Sequence, residues 1–218
     1  MEEATLALSA TPLHAVHIAA GARMMPFAGY EMPVQYAGLR SEHEAVRKAA
    51  GLFDVSHMGE LWFSGAGAAG FLQRLLAGDV AKAAPGRALY TCLLNEGGGI
   101  VEDLLVYGFE DRYLLVVNAA NKDEVVSLIR AELPEDVTFE DASARTALLA
   151  LQGPASDAVA QAMGFDLTDL KYYHHRNVVF NGVEVTVGAT GYTGERGFEW
   201  YVPAENAAAL WAAMMTAG

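Results

Sequence analysis

The sequence predicts an α+β fold built from antiparallel sheets with flanking helices. Apolar runs of strand length cluster in two regions, 52–63 with 88–118 and 137–200, and helical patterns lie between them without a regular strand-helix-strand rhythm. Within 88–118, three such runs are separated only by a glycine-rich break and a polar break, which is typical of an antiparallel meander. We therefore expect antiparallel sheets with helices packed against them.

The first third of the chain carries signals for two helices and one extended segment. Thr11 precedes a proline and an apolar run that Gly21 ends, which predicts a short helix capped by Thr11. Ser41 and Glu44 have the spacing of a capping box and predict the start of a second helix. The run 51–64 then favours an extended conformation.

Three glycines follow in the pattern of a dinucleotide-binding fingerprint, at 65–70. That fingerprint also requires a parallel strand with an acid about twenty residues further on, and no acid is present there. We therefore interpret these glycines as a turn between a strand and a short helix.

The second half of the chain begins with a helix for which Asn121 and Glu124 are the predicted caps. Asn181 and Gly182 lie between two β-branched runs and predict a hairpin with a type I′ turn. The segment 189–197 is rich in glycine and predicts an irregular turn. A strand and an Ala-rich helix complete the predicted fold.

Composition excludes several classes of function. Acidic residues outnumber basic ones 27 to 14, for a net charge of -13, so binding to nucleic acid or an anionic membrane is not expected. No apolar run has membrane-spanning length, and the N-terminus lacks the basic and apolar segments of a secretory signal. We therefore expect a cytoplasmic protein.

Patterns that suggest a metal or a nucleophile are incomplete. His14 and His17 would share a helix face, but no third ligand accompanies them, so we predict no metal site. Ser56 and His57 would point to opposite sides of a strand, which argues against a local catalytic triad. Cys92 is the single cysteine and lies in an apolar strand, where we expect it to be buried and inert.

Two neighbouring carboxylates lie in the central strand of the meander. Asp103 shares one strand face with Leu105 and Tyr107, whereas Glu102 points to the opposite face. Both faces are mostly apolar, and a carboxylate on a covered strand is costly unless it is paired or used in function. Two interpretations stay open: both acids reach water near the turn, or at least one belongs to a site.

Several motifs together resemble the glycine cleavage system T-protein, the aminomethyltransferase family. The resemblance covers the whole chain and rests on these segments: HIAAGARMMPFAGYEMPVQY, EHEAVRKAAGLFDVSHMGEL, GGGIVEDLLVY, LLVVNAAN, LALQGP and TGYTGERGFE. It implies a tetrahydrofolate-dependent enzyme that takes an aminomethyl group from the lipoyl arm of a partner, the H-protein. Ammonia is released and methylenetetrahydrofolate is formed, with tetrahydrofolate as co-substrate and no metal.

The resemblance also assigns roles to individual residues. Asp103 matches the catalytic aspartate of the family, and Glu102 is interpreted as structural. It further implies a first domain built from 1–60 plus 145–218, with the meander domain 61–144 inserted in it. The positions that match folate-lining residues of the family are Met58, Tyr90, Leu105, Tyr107, Asn118, Tyr192 and Glu199.

The chain departs from the family pattern in two places. Ala189 stands where relatives have an arginine, which removes a cation beside the glycine-rich motif. The arginine-rich segment and the C-terminal barrel domain of relatives do not follow the last helix, so we expect a fragment or a natural short form whose folate pocket lacks one wall. A fragment of this kind would have little activity alone.

Two other functions are compatible with the resemblance. One is a folate-dependent demethylase or a relative of the dimethylglycine and sarcosine oxidases, which share Asp103 and the glycine-rich motif. The other is a folate-binding maturation factor for iron-sulfur clusters, without enzymatic activity. Members of that class usually lack the aspartate and carry a Lys-Gly-Cys motif, whereas Cys92 lies in no such context.

Overall fold

The computed structural model describes residues 7–218 of the chain. Within them lie six α-helices, twelve β-strands and short 3-10 turns. The helices are α1 (His14–Ala19), α2 (Leu39–Lys48), α3 (Ala68–Leu75), α4 (Lys122–Glu132), α5 (Ser156–Ala162) and α6 (Ala207–Ala217). The strands are β1 (Arg23–Phe27), β2 (Tyr30–Gln35), β3 (Gly51–Asp54), β4 (Gly59–Ser64), β5 (Arg87–Leu94), β6 (Ile100–Gly108), β7 (Arg112–Val117), β8 (Thr138–Asp141), β9 (Thr146–Gln152), β10 (His175–Phe180), β11 (Val183–Gly188) and β12 (Gly197–Pro203).

Two five-stranded antiparallel sheets form the framework. The first sheet has the strand order β10-β11-β12-β9-β3, and the second has the order β5-β6-β7-β4-β8. Strands β1 and β2 form a separate antiparallel pair. The prediction of an α+β fold with antiparallel sheets is confirmed, as is the meander of β5, β6 and β7.

The order of strands along the chain bears on the predicted domains. Strands of the first sheet come from 51–54 and 146–203, whereas those of the second come from 59–141. This interleaving is compatible with a meander domain inserted into a discontinuous one. The division at 1–60 plus 145–218 and 61–144 stays a prediction.

Each sheet buries one face against helices and the other against its partner sheet. Trp200 of β12 packs in the core formed with α5 and α6, whereas its neighbour Tyr201 points to the opposite side. In the same way Leu115 faces the core beneath α3 and α4, and Leu114 faces away from it. This alternation follows from the period of a β-strand. A third apolar cluster therefore lies between the two sheets.

The local turn signals correspond to the structure. Strands β10 and β11 are joined by Asn181 and Gly182, whose φ angles of 50° and 80° are those of a type I′ turn. Gly65 and Gly67 lie in the turn that connects β4 to α3, as predicted, whereas Gly70 is already inside α3. The extended run 51–64 is instead divided, because Asp54 Oδ1 accepts a hydrogen bond from the Ser56 backbone and the chain turns from β3 in the first sheet to β4 in the second.

The predicted helix caps are wrong at the level of the side chain. Thr11 donates to Asp54 instead of capping α1, which begins at His14. Ser41 lies inside α2, where its hydroxyl donates to the carbonyl of Gly38, so the capping box does not form. Asn121 does occupy the N-cap position of α4, but its amide donates to Glu102. In each case another partner replaces the predicted cap.

None of the helices in residues 7–218 is both long enough and apolar enough to cross a membrane.

Candidate functional site

A cavity of about 670 Å³ lies between the two sheets. Its walls come from the turn that joins β3 to β4, from β5, β6 and the end of β7, and from β9, β12 and the glycine-rich segment that precedes β12. Apolar side chains and tyrosines alternate with a few polar groups along these walls. Such a volume and lining are typical of sites for small organic ligands.

Most of the predicted site residues meet in this cavity. The residues that line it are Met58, Tyr90, Asp103, Leu105, Asn118, Tyr192 and Glu199. Tyr107 is the exception, because it is fully buried behind the wall and reaches the site only through hydrogen bonds. The structure thus brings the predicted residues together, and their roles stay predictions.

Asp103 and Glu102 have different environments. Asp103 is half-buried on the cavity side of β6, where Tyr90 donates to its Oδ2 at 2.7 Å. This hydrogen bond from Tyr90 raises the pKa of the tyrosine to about 12. Glu102 is only 1% exposed, on the other side of the strand, so the interpretation that both acids reach water is wrong. The predicted orientation of the two acids to opposite faces is confirmed.

Glu102 accepts a full set of hydrogen bonds. The backbone and the side-chain nitrogen of Asn118 donate to its Oε1 at 2.7 and 2.5 Å. The side chain of Asn121 donates to its Oε2 at 2.6 Å. A buried carboxylate is tolerated when donors of this kind surround it, so Glu102 is compatible with its predicted structural role.

A second polar cluster lies at Glu199. Thr190 donates to Glu199 Oε2 at 2.5 Å, and the hydroxyls of Thr190 and Tyr107 are 2.7 Å apart. Tyr201 donates to the hydroxyl of Tyr107 at 3.0 Å and extends the cluster into the space between the sheets. Burial raises the pKa of Glu199, although the hydrogen bonds from Thr190 and Tyr107 oppose the shift. The cavity therefore carries carboxylates from both sheets.

The glycine-rich segment 190–196 has a defined conformation. Gln152 is buried beneath it, and its Nε2 donates to the carbonyl of Thr190 while its Oε1 accepts from Thr193. Gly191 has a φ of 154°, and a side chain there would collide with Gln152. Tyr192 extends from this segment with 99% of its surface exposed. The side chain of Tyr192 is thus presented at the cavity with no packing of its own.

Several lining residues were missed by sequence reasoning. Thr190 is next to the predicted glycine-rich motif, and His57 precedes Met58, so proximity along the chain could have indicated both. His57 has a buried Nδ1 without a partner among the described residues, and burial lowers its pKa. Tyr172 and Tyr173 also line the cavity, and the φ of 58° at Tyr173 is a backbone feature that no sequence pattern predicted.

The remaining candidate residues lie outside the cavity. His14 pairs with Glu31 and His17 with Asp54, and no group of three or more His, Cys, Asp or Glu side chains in residues 7–218 is placed to hold a metal ion. Cys92 is half-buried, because it lies on the side of β5 that carries Tyr90, so its predicted burial is incomplete. Ala189 packs in the core of the first sheet and does not line the cavity.

Comparison with known proteins decides the family. The sequence profile of the GCVT N-terminal domain matches residues 13–218. The chain belongs to the GCVT N-terminal domain family. Members similar to it include the aminomethyltransferase of Geobacillus kaustophilus (strain HTA426), which is 50% identical over 214 residues, and that of Desulforamulus reducens, which is 46% identical over 213 residues.

Each alignment covers 97% of this chain. The chain therefore matches only part of each relative, namely 59% of the first and 58% of the second. Among solved structures, the GCVT-family chain superimposes on the glycine cleavage system aminomethyltransferase T from Bartonella henselae with a TM-score of 0.88 and 34% identity. That alignment covers 96% of this chain and 57% of the other. A chain of heterotetrameric sarcosine oxidase from Corynebacterium sp. U-96 has a related fold, with a TM-score of 0.56 and 18% identity over 81% of this chain.

Proposed function

We propose that this chain forms the tetrahydrofolate-binding and catalytic part of an aminomethyltransferase of the glycine cleavage system. The observation that carries the proposal is one cavity lined by Asp103 and six of the seven residues expected to contact folate. Relatives that are 46–50% identical over nearly the whole chain and are named aminomethyltransferase support the same reaction.

The reaction is a transfer without net oxidation or reduction. The methylene carbon loses its bonds to the lipoyl sulfur and to the amine nitrogen, and it gains bonds to the two reacting nitrogens of tetrahydrofolate. The protons given up by these nitrogens leave with ammonia and with the lipoyl thiol. The protein must therefore orient an amine and favour positive charge that develops on it.

Asp103 has the environment that this task requires. Tyr90 donates to one of its carboxylate oxygens and Asn118 to the other, so the group is held in one orientation. Each oxygen keeps a further lone pair for a ligand on the cavity side. We assign Asp103 to stabilise the charge on the reacting folate amine and to keep that nitrogen in line with the methylene carbon.

The other walls suit the rest of the ligand. Glu199 can accept hydrogen bonds from the pterin edge, because the hydroxyls of Thr190 and Tyr107 hold its carboxyl group in place. Met58 and Leu105 supply apolar surface, and Tyr192 supplies an aromatic ring that can stack on a planar heterocycle.

We further propose that the lipoyl arm of an H-protein delivers the aminomethyl group to this cavity and that the protein acts in the cytoplasm. The demethylase or oxidase alternative has less support, since the sarcosine oxidase chain is 18% identical and indicates the fold alone. The maturation-factor alternative is likewise not favoured, because the relatives named above are transferases.

Titration calorimetry with tetrahydrofolate tests the binding site. Glu199→Ala is expected to weaken binding by roughly 1–3 kcal/mol, because pterin donors would lose a buried acceptor. Glu110→Gln is a matched control, since it removes an exposed carboxylate from the turn between β6 and β7, away from the cavity. Equal affinities for wild type and Glu199→Ala would show that the pterin does not bind at Glu199.

Ammonia release from aminomethylated H-protein tests the reaction, and it is measured on a protein of the relatives' full length that contains this chain. Asp103→Asn is expected to lower turnover on the order of a hundredfold while folate still binds, because the group acts on charge that develops during the reaction. Near-normal turnover in Asp103→Asn would exclude this assignment. The Glu110→Gln protein should match wild type in the same assay.

A further inference from the structure

The side chain of Asn118 lies between the two carboxylates of the acid pair. Strand β7 ends at Val117, and the next residue, Asn118, directs its Nδ2 towards β6. This nitrogen donates to Glu102 Oε1 at 2.5 Å, and it lies 3.1 Å from both Oδ1 and the main-chain carbonyl oxygen of Asp103. Because Glu102 and Asp103 point to opposite faces of β6, the one carboxamide bridges both sides of the strand.

These contacts determine which end of the carboxamide faces the cavity. An amide nitrogen carries two hydrogens and an ionised carboxylate can only accept, so both acids select the nitrogen end of Asn118. Within residues 7–218 no donor is bonded to Asn118 Oδ1, and the residue lines the cavity. The oxygen end is therefore the one that can accept a hydrogen bond from a ligand.

Both carboxylate oxygens of Glu102 accept hydrogen bonds from asparagines. Its Oε1 accepts from both the backbone and the side chain of Asn118, and its Oε2 accepts from Asn121 at the start of α4. The carboxylate is nearly inaccessible to water, so these donors are not replaced by solvent. Asp103, by contrast, shares its oxygens with Tyr90 and the cavity.

We propose that Glu102 is a positioning residue that sets the polarity of the site through Asn118. It holds the Asn118 nitrogen against Asp103 and leaves Oδ1 as an acceptor, so the site selects a ligand group with an N–H or O–H donor at that point. The identification of this ligand as tetrahydrofolate rests on the proposed function. The orientation of Asn118 does not rest on it.

Nuclear magnetic resonance of 15N-labelled protein tests the orientation without any ligand. Both Nδ2 hydrogens of Asn118 are expected to exchange slowly with water, because one is bonded to Glu102 and the other to the oxygens of Asp103. In Glu102→Gln the new side chain can present either an oxygen or an NH2 group, so faster exchange of at least one hydrogen is expected. Fast exchange of both hydrogens in the wild type would overturn the proposal.

Tetrahydrofolate affinity tests the consequence for binding. Glu102→Gln is expected to weaken binding on the order of tenfold, because the acceptor in the cavity is no longer held. Glu102→Asp keeps the negative charge, so its affinity for tetrahydrofolate is expected to be close to that of wild type. Glu110→Gln, the exposed control on the same hairpin, should bind as wild type does.

A double-mutant cycle separates positioning from a general role in stability. In an Asn118→Ala background, Glu102→Gln should have little further effect on affinity, because the residue through which it acts is gone. Additive losses, or equal binding by Glu102→Gln and wild type, would overturn the proposal. If wild type binds no tetrahydrofolate but its Asn118 hydrogens lose protection in Glu102→Gln, the orientation stands and the proposed function fails.

Discussion

Asp54 connects Thr11 and α1 to the end of β3 through buried hydrogen bonds. Thr11 donates to its Oδ2 at 2.6 Å, and the Nε2 of His17 lies 2.9 Å from the same oxygen. The backbone of Ser56 donates to its Oδ1. Burial alone would raise the pKa of Asp54, but the hydrogen bonds from His17, Ser56 and Thr11 outweigh it and hold the pKa below its ordinary value.

Asp54→Asn is therefore expected to destabilise the protein by about 3 kcal/mol, since it removes the negative charge from a buried carboxylate whose oxygens are hydrogen-bonded to Thr11, His17 and Ser56. Chemical denaturation at neutral pH measures this, with the exposed turn substitution Asp111→Asn as control. The depressed pKa adds a second expectation. The contribution of Asp54 is present above its unfolded-state pKa and is lost as the pH falls through the folded-state value. A stability loss equal to that of Asp111→Asn would contradict both expectations.

At the scale of single residues, the sequence predicted the direction of a side chain but not its hydrogen-bond partners. The alternation of a strand predicted that Glu102 and Asp103 point to opposite faces, and that prediction is confirmed, since Asp103 lines the cavity and Glu102 is buried away from it. The donors to Glu102 lie 16 and 19 residues away, at Asn118 and Asn121, and no local pattern connects them. Thr11 was assigned to a helix cap for the same reason, because its partner Asp54 is 43 residues further along the chain.

Elements whose conformation is set by neighbouring residues were predictable. The hairpin of β10 and β11 requires positive φ at both turn positions, and Asn181 and Gly182 tolerate it. The division of 51–64 between β3 and β4 was not predictable, because the two strands belong to different sheets and only tertiary pairing separates them.

Two glycines with open space around them provide a test of element conformation. A Cβ at Gly182 or at Gly70 would meet no atom within 4 Å, so packing does not enter the comparison. Gly182 has a φ of 80°, and Gly182→Ala is expected to cost about 1–2 kcal/mol. Gly70 lies inside α3 on an exposed face, and Gly70→Ala should stabilise by roughly 0.5–1 kcal/mol.

Thermal unfolding of the two single variants measures these effects, and opposite shifts of Tm are expected. Shifts of the same sign would show that backbone conformation does not control the response at one of the two positions.

At the scale of the whole molecule, polar groups are buried between the two sheets. Tyr201 donates a hydrogen bond to the hydroxyl of Tyr107 there, and burial raises the pKa of both well above the ordinary value. Glu60 of β4 is different. It is 0% exposed, and neither of its carboxylate oxygens has a hydrogen-bond partner among the described residues. Burial and the charge of Asp141 raise its pKa well above 4.5, and Lys122 opposes the shift.

Glu60 should therefore make stability depend on pH. In the unfolded chain it loses its proton near pH 4.5, whereas the folded state retains the proton to a higher pH. Between these values the folded state binds more protons, so the free energy of unfolding contributed by Glu60 falls as the pH rises. Each pKa unit of the shift corresponds to about 1.4 kcal/mol. Glu60→Gln keeps the shape of the side chain and cannot ionise.

The stability of Glu60→Gln relative to wild type is thus expected to increase as the pH rises above 4.5 and to level off once Glu60 is ionised in the folded state. Denaturant titrations at several pH values measure this difference, in which the contributions of Asp54 and Glu199 cancel because both proteins contain them. Glu110→Gln, whose carboxyl group is exposed, should show a nearly constant difference from wild type. A constant difference for Glu60→Gln as well would mean that Glu60 ionises at its ordinary pKa, and that water or a counter-charge reaches it between the sheets.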